Sequence, residues 1–234
     1  MTVRGTGRRT FFHQRGANAR LAPEHFDFSG VTARTFYLGY ALLLDTLDGP
    51  DERGVPRAAE VLQRARAAGM MTLLDCVSEN SDRFRPVVLP LLPHVDVLFC
   101  NDFEAEKLTG RDLGRDEHLN RDEVAAAGRD LLAAGVGRWV VLHHPGGACA
   151  VGRDGRVHFH GSVKLPEGEV AGTAGAGDAF AAGVIHGLHE GWDMRRGLEL
   201  GVGTAAASLR HASCSEAIGS AAACLALGAK FGYR

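Results

Sequence analysis

Residues 171–183 read AGTAGAGDAFAAG. Gly172, Gly175 and Gly177 stand directly before a helical stretch that begins near Asp178. Glycine lets a backbone take conformations closed to other residues and brings its N–H groups close to a ligand. A helix start adds unsatisfied N–H donors and the positive end of the helix dipole. The pattern therefore predicts a cradle for an anion such as phosphate. No Lys-Ser/Thr pair follows the glycines, so it is not a Walker A loop. The order G-x-x-G-x-G reverses the dinucleotide fingerprint and comes late in the chain, which counts against an NAD-dependent dehydrogenase. Asp178 ends the run. A carboxylate beside a phosphate repels it unless it has a task, and phosphoryl transfer to a hydroxyl needs one proton acceptor. The other reading is that Asp178 caps the helix N-terminus. The pattern alone leaves both open.

Outward from this segment, apolar runs alternate with amphipathic ones. Strands are predicted over residues 34–44, 70–77, 95–100 and 139–143, and helices over 56–68, 85–92, 122–134, 178–189 and 194–211. Residues 148–152 and 157–160 flank Arg153-Asp154-Gly155-Arg156, a hairpin signal. This alternation predicts an α/β fold, a three-layer αβα sandwich around a mostly parallel sheet with the hairpin toward one edge. The chain is read as a single domain, residues 1–234. In such sheets ligands bind beyond the carboxyl ends of the strands. Segments 45–49, 101–110 and 172–178 are predicted to gather there.

Composition narrows the function. The 234 residues are 45% apolar and 23% charged, which excludes a disordered or fibrous chain. The net charge is -2, so no basic excess marks a nucleic-acid or acidic-membrane partner. No run of 18 apolar residues predicts a membrane span. Met1–Arg9 is basic, but the apolar region of a signal peptide does not follow. Five cysteines include no C-x-x-C pair, which excludes a zinc ribbon or thioredoxin-type site. Three of them, Cys76, Cys100 and Cys149, lie in apolar runs and are expected to be buried, as suits a reduced cytoplasm.

GTAGAGDAFAAG closely resembles the second signature of the PfkB (ribokinase-like) carbohydrate kinases, written D-T-x-G-A-G-D. Asn101-Asp102-Phe103-Glu104 matches the family's N-x-x-E motif, Leu108-Thr109-Gly110 follows at the family's spacing, and VVLHHPGGA (140–148) resembles the strand and turn leading to the nucleotide site. The resemblance implies an ATP-dependent kinase that moves the γ-phosphoryl group to a sugar hydroxyl with Mg²⁺. Asp178 would be the catalytic base. The turn Gly175, Ala176, Gly177 would supply the anion hole through the N–H groups of Ala176, Gly177 and Asp178. Glu104, with Asn101, would hold Mg²⁺ through water, and Thr173, His144 and Gly147 would belong to the nucleotide site. Without the resemblance, Asn101 and Glu104 read equally as a capping box at a helix start.

The family's first signature Asp falls at Gly172 and a common glycine at His144. No Gly-Gly sugar-binding region precedes Gly16, so the expectation is a ribokinase-like fold truncated at its N-terminus, with residues 1–30 a remnant of the lid. Thr10–His13 reads as the inside of a strand, and Phe11, His13 and Asn18 as lid residues. A catalytically impaired member that binds nucleotide or assembles with a partner is the alternative function. A homodimer formed through the lids fits the family. The remaining histidines read as structural: His186 and His189 at a solvated helix end, His158 and His160 on one solvent-facing side of a strand. Arg64 and Arg66 read as an exposed helix face, and Ala-rich 202–207 as close helix packing.

Overall fold

The apolar runs become six strands: β1 (Thr35–Ala41), β2 (Met71–Cys76), β3 (Val97–Asn101), β4 (Trp139–His144), β5 (Gly147–Gly152) and β6 (Val157–Gly161). They form one sheet in the order β1-β2-β3-β4-β5-β6. β1 is parallel to β2, with Thr35 facing Met71, and β2 is parallel to β3, with Leu73 facing Val97. The helices are α1 (Asp45–Asp48), α2 (Ala58–Ala67), α3 (Phe84–Val88), α4 (Asp102–Thr109), α5 (Arg121–Ala133), α6 (Ala176–His189), α7 (Met194–Leu209) and α8 (Ala221–Phe231). The fold is α/β, a mostly parallel sheet with helices on both sides, as the alternation predicts. The computed structural model describes residues 13–114 and 119–234. Among them no helix is long and apolar enough to cross a membrane. The chain divides into two compact units, Gln14–Leu142 with Ala150–Val157, and His143–Cys149 with His158–Arg234 and His13.

In the first of these units, Leu73, Leu74, Val97, Leu98 and Phe99 are fully buried in β2 and β3. α2 buries Ala58, Val61, Leu62 and Ala65, the helical-period face predicted from sequence. β1 is shorter than its apolar run. It stops at Ala41, and Leu42 takes a left-handed φ of 78°. The cause is Asp48, buried in α1, whose carboxylate accepts the N–H groups of Leu42 at 3.1 Å and Leu44 at 3.0 Å and also meets Arg83 at 3.2 Å. Leu42 and Leu44 are apolar because the turn is buried, not because it is strand. Burial pushes the pKa of Asp48 up, while these N–H donors and the two arginines, Arg83 and Arg15, pull it back. Arg64 is not simply exposed. Its guanidinium donates to the carbonyl oxygens of Pro23, at 2.9 Å, and of Phe26. Phe26 and Phe28 in turn pack edge-on against Phe36 of β1, with centroids 5.8 and 5.2 Å away. Gly152 N–H donates to Arg156 O at 2.8 Å and Gly155 N–H to Gly152 O at 2.9 Å, closing the predicted hairpin between β5 and β6. Of the lid residues, Asn18 lies exposed in a 3-10 helix, Gly16–Arg20. Phe11 and the strand reading of Thr10–Phe12 lie outside the described residues, and His13 is exposed and not in a strand.

In the other unit, α6 packs on α7 and α7 on α8. A Cβ added at Gly183 would lie 2.8 Å from Gly201 Cα, and one at Gly203 would lie 2.7 Å from the Cys224 carbonyl oxygen. Close packing was the reading of the Ala-rich stretch. The Thr204 hydroxyl spans the first of these interfaces, 2.7 Å from Ala179 O. α8 is absent from the sequence reading, although Ser220 caps it through Ala223 N–H at 3.2 Å. His160 departs from its solvent-facing assignment: its ring meets Tyr233 edge-on at 4.6 Å, because the chain end returns and Arg234 N–H donates to Ser162 O at 2.9 Å. His186 packs edge-on against Trp192 at 5.6 Å.

Candidate active site

The glycine-rich segment enters α6 through a tight turn. Gly175 occupies the N-cap position with φ 78°, ψ 3°, and the helix begins at Ala176. Two constraints meet at Gly175. A side chain would be strained in the left-handed region, and its Cβ would lie 2.6 Å from Cys214 Cβ. Asp178 is the third residue of the helix, within the first turn. It is therefore not the N-cap, and that reading is corrected. It is exposed, whereas Thr173 to Gly177 are half-buried and Ala179 and Phe180 are buried. The N–H groups of Ala176, Gly177 and Asp178 are among the first three of the helix, which have no partner four residues back. An anion placed there would meet three donors and the positive helix end.

Gly172, where the family signature carries Asp, sits close to other backbone. A Cβ there would lie 3.3 Å from both Ala212 Cα and His211 O. The N–H groups of Ala171 and Gly172 both donate to Leu209 O, at 2.8 and 3.2 Å, so this strip lies along the end of α7. Thr173 follows it, just before the turn.

His144 and Gly147 flank the short β4–β5 turn. His144 Nδ1 accepts Gly146 N–H at 3.1 Å, which places the ring proton on Nε2 and lets the imidazole shape the turn. Gly147 is buried, with His160 O 2.2 Å from where its Cβ would stand. His143, beside His144, is a residue the sequence reading passed over. A Cβ at Gly177 would lie 3.0 Å from His143 Cε1, and the His143 ring lies 5.3 Å from that of Phe180. Desolvation, reinforced by neighbouring His144, lowers the His143 pKa to about 4, although the residue as a whole is half-buried.

Asn101 and Glu104 form a closed circuit at the end of β3. Asn101 is the N-cap of α4 and its Oδ1 accepts Glu104 N–H at 2.9 Å, while Glu104 Oε2 accepts Asn101 N–H at 2.9 Å. The capping box is thus real. Ser78 extends it: Asn101 Nδ2 donates to Ser78 Oγ at 2.7 Å, and the Ser78 hydroxyl donates to Glu104 Oε1 at 2.7 Å. A second acid, Asp75, stands one residue before the end of β2. It accepts the Tyr37 hydroxyl at 2.9 Å and the Cys76 N–H at 2.8 Å. Neither Asp75 nor Ser78 was singled out from sequence; the lone acid in the apolar run MMTLLDCV was the available signal.

Burial, and next the charge of Asp75, holds the Glu104 pKa at about 7, against an ordinary 4.5. Burial holds Asp75 at about 6, against 3.8. Two buried carboxylates, one of which raises the other's affinity for protons, also suit a cation, and hard oxygen donors suit Mg²⁺. Among the described residues no three acidic, His or Cys side chains gather to hold a metal by themselves. A cation held by these carboxylates would take the rest of its shell from water or phosphate.

The sign of the pH effect follows. Between the unfolded and folded pKa values the native state binds the extra proton, so stability falls as pH rises through that interval. For Glu104 the interval runs from 4.5 to about 7. The full cost above it is on the order of 3 kcal/mol. Glu104→Gln keeps an acceptor for Asn101 N–H and removes the charge. It is expected to raise the melting temperature of the metal-free protein at pH 8 by about 4–12 °C and to change it little at pH 4.5. Thermal melts at the two pH values check this.

Comparison with known proteins places the chain. It matches the family model for pfkB family carbohydrate kinases over residues 1–220. An adenosine kinase of Schizophyllum commune is 32% identical over 126 residues, which are 50% of this chain and 36% of that protein. A 5-dehydro-2-deoxygluconokinase of Clostridium perfringens is 38% identical over 77 residues, 33% of this chain and 22% of that protein. The matched stretches thus span little more than a third of the first relative and about a fifth of the second. Among solved structures, a 2-dehydro-3-deoxygluconokinase of Thermotoga maritima superposes with a TM-score of 0.73 at 19% identity, covering 90% of this chain and 66% of that one. An Arabidopsis thaliana ribokinase complexed with ribose and ATP superposes at 0.61 and 21% identity, covering 72% and 51%. These likenesses bear on the fold, and the family match covers nearly all of the sequence. The chain belongs to the pfkB family of carbohydrate kinases.

Proposed function

We propose that the protein is an ATP-dependent carbohydrate kinase that transfers the γ-phosphoryl group of ATP to a sugar hydroxyl. The observation that carries this reading is the start of α6. The N–H groups of the first helical turn follow a left-handed Gly175, and an exposed carboxylate stands one residue beyond Gly177. Asp178 takes the proton of the acceptor hydroxyl as it attacks, and the N–H groups of Ala176, Gly177 and Asp178 receive the charge on the moving phosphoryl oxygens. Thr173, His144 and Gly147 belong to the nucleotide side of the site. Glu104, oriented by Asn101 and Ser78, would hold Mg²⁺ through water. When bound, Mg²⁺ neutralises phosphate charge. The sugar, sugar-acid and nucleoside kinases among the relatives support a small hydroxylated acceptor.

Thermal melting with nucleotides tests the reading. Mg-ATP at about 100 times its dissociation constant adds about 2.7 kcal/mol and raises the melting temperature by roughly 5–10 °C. NAD is expected to give no rise. A panel of sugars, sugar acids and nucleosides then reads acceptor-dependent ADP release. Binding of Mg-ATP with no acceptor turned over favours the nucleotide-binding module instead, and no rise with Mg-ATP overturns the proposal.

A further inference from the structure

We propose that His143 is a positioning residue for phosphoryl transfer: its imidazole ring backs the first turn of α6 at Gly177 and fixes where the N–H groups of that turn point. This rests on the reading of the turn as the phosphoryl cradle. A Cβ built at Gly177 would stand 3.0 Å from His143 Cε1 and 3.4 Å from Nε2, so one edge of the ring fills the space a side chain would need. The same ring lies 5.3 Å from Phe180, tilted by 42°. Gly177 and Phe180 are three residues apart, so they share a face of the helix. The ring therefore lies along the first turn.

Phe180 is itself held from behind. It is 3% exposed, and a Cβ at Gly201 of α7 would come within 2.8 Å of its ring. His143 thus presses the turn against a fixed support. Gly177 is glycine because an imidazole occupies its side-chain space, a reason separate from close approach of an anion. Asp178 follows Gly177 and rides on the same turn. The ring is neutral, held so by desolvation and by His144, and brings no positive charge to the phosphates. Its contribution is shape.

A double-mutant cycle tests this with the whole chain. Gly177→Ala drives a methyl into the ring and displaces the donors, which lowers kcat by about 10²-fold. His143→Ala releases the turn and lowers kcat by roughly 10-fold, with the KM for Mg-ATP changed less than about 3-fold. The double variant is expected to lose at least about 10-fold less than the product of the two single losses, because the methyl then enters the vacated space. His143→Phe, which keeps a ring without nitrogens, is expected to retain kcat within about 3-fold of the parent. Additive losses, a parental kcat in His143→Ala, or a His143→Phe as slow as His143→Ala would each overturn the proposal. If Gly177→Ala does not fold, the comparison of His143→Ala with His143→Phe decides. If the parent turns over no acceptor, the kinase reading falls separately, and the same cycle is scored on the dissociation constant of Mg-ATP by calorimetry. Coupling there sustains the positioning role and additivity overturns it. A parent that does not bind Mg-ATP overturns both.

Discussion

Asp178→Asn is expected to lower acceptor-dependent ADP release by about 10²–10⁴-fold while the rise in melting temperature with Mg-ATP persists. The amide matches the carboxylate in shape but cannot accept the hydroxyl proton. Asp178 is exposed in the first turn of α6, while Ala179 and Phe180 behind it are buried, so the change disturbs no packing. The lost attraction between a negative charge and the helix N-terminus costs about 0.3–1 kcal/mol. Base and helix-stabilising roles predict opposite patterns. A base gives a large loss of turnover with a small loss of stability. A residue that only stabilises the helix start gives a lower melting temperature and unchanged turnover. Steady-state kinetics and melting on one preparation separate them.

Gly175→Val is expected to remove turnover and to lower the melting temperature by roughly 5–20 °C. Two costs add. A left-handed backbone costs a side chain about 1–2 kcal/mol, and more for a β-branched one. Its Cβ would also lie 2.6 Å from Cys214 Cβ, and overpacking of this kind costs about 1–3 kcal/mol. Cys214→Gly in the same chain removes the opposing Cβ and leaves the backbone cost. Partial recovery of melting temperature is therefore expected from the pair. Full recovery would show that the left-handed conformation costs nothing there, and no recovery that Cys214 is not the obstacle. Both variants are read by thermal melting beside the parent.

The sheet was legible because apolar strand runs and amphipathic helix runs differ in period, and because Gly69 and Gly135 mark helix ends. Leu42–Leu44 was misread because burial in a turn and burial in a strand require the same apolar residues. The difference lies in Asp48, whose reach back to two amides is a tertiary fact. α8 was overlooked: AAACLALGAKF has little polar contrast across its turns, so periodicity says little. In the candidate site, Gly175 and Asp178 announced themselves through local pattern. Asn101 and Glu104 did so through the N-x-x-E spacing of the family motif, which is also the spacing of a capping box. Ser78 and Asp75 did not, because they join Glu104 from another strand end. His143 and Cys214 were silent for a related reason. The contacts that give them meaning, with Gly177 and Gly175, cross long stretches of sequence.

The strand order has a consequence for how the chain comes together. The sheet runs β1 to β6 in the order in which the strands are synthesised. Thr35 meets Met71 and Leu73 meets Val97, so each pairing in this part of the sheet closes one modest loop. Parallel sheets are slow to form when partners are distant, because loop entropy is lost before any contact repays it. Among the described residues no strand waits for a partner still to be made on its far side. The sheet can lengthen by one strand at a time as the polypeptide leaves the ribosome, with the newest strand always docking on the one before it.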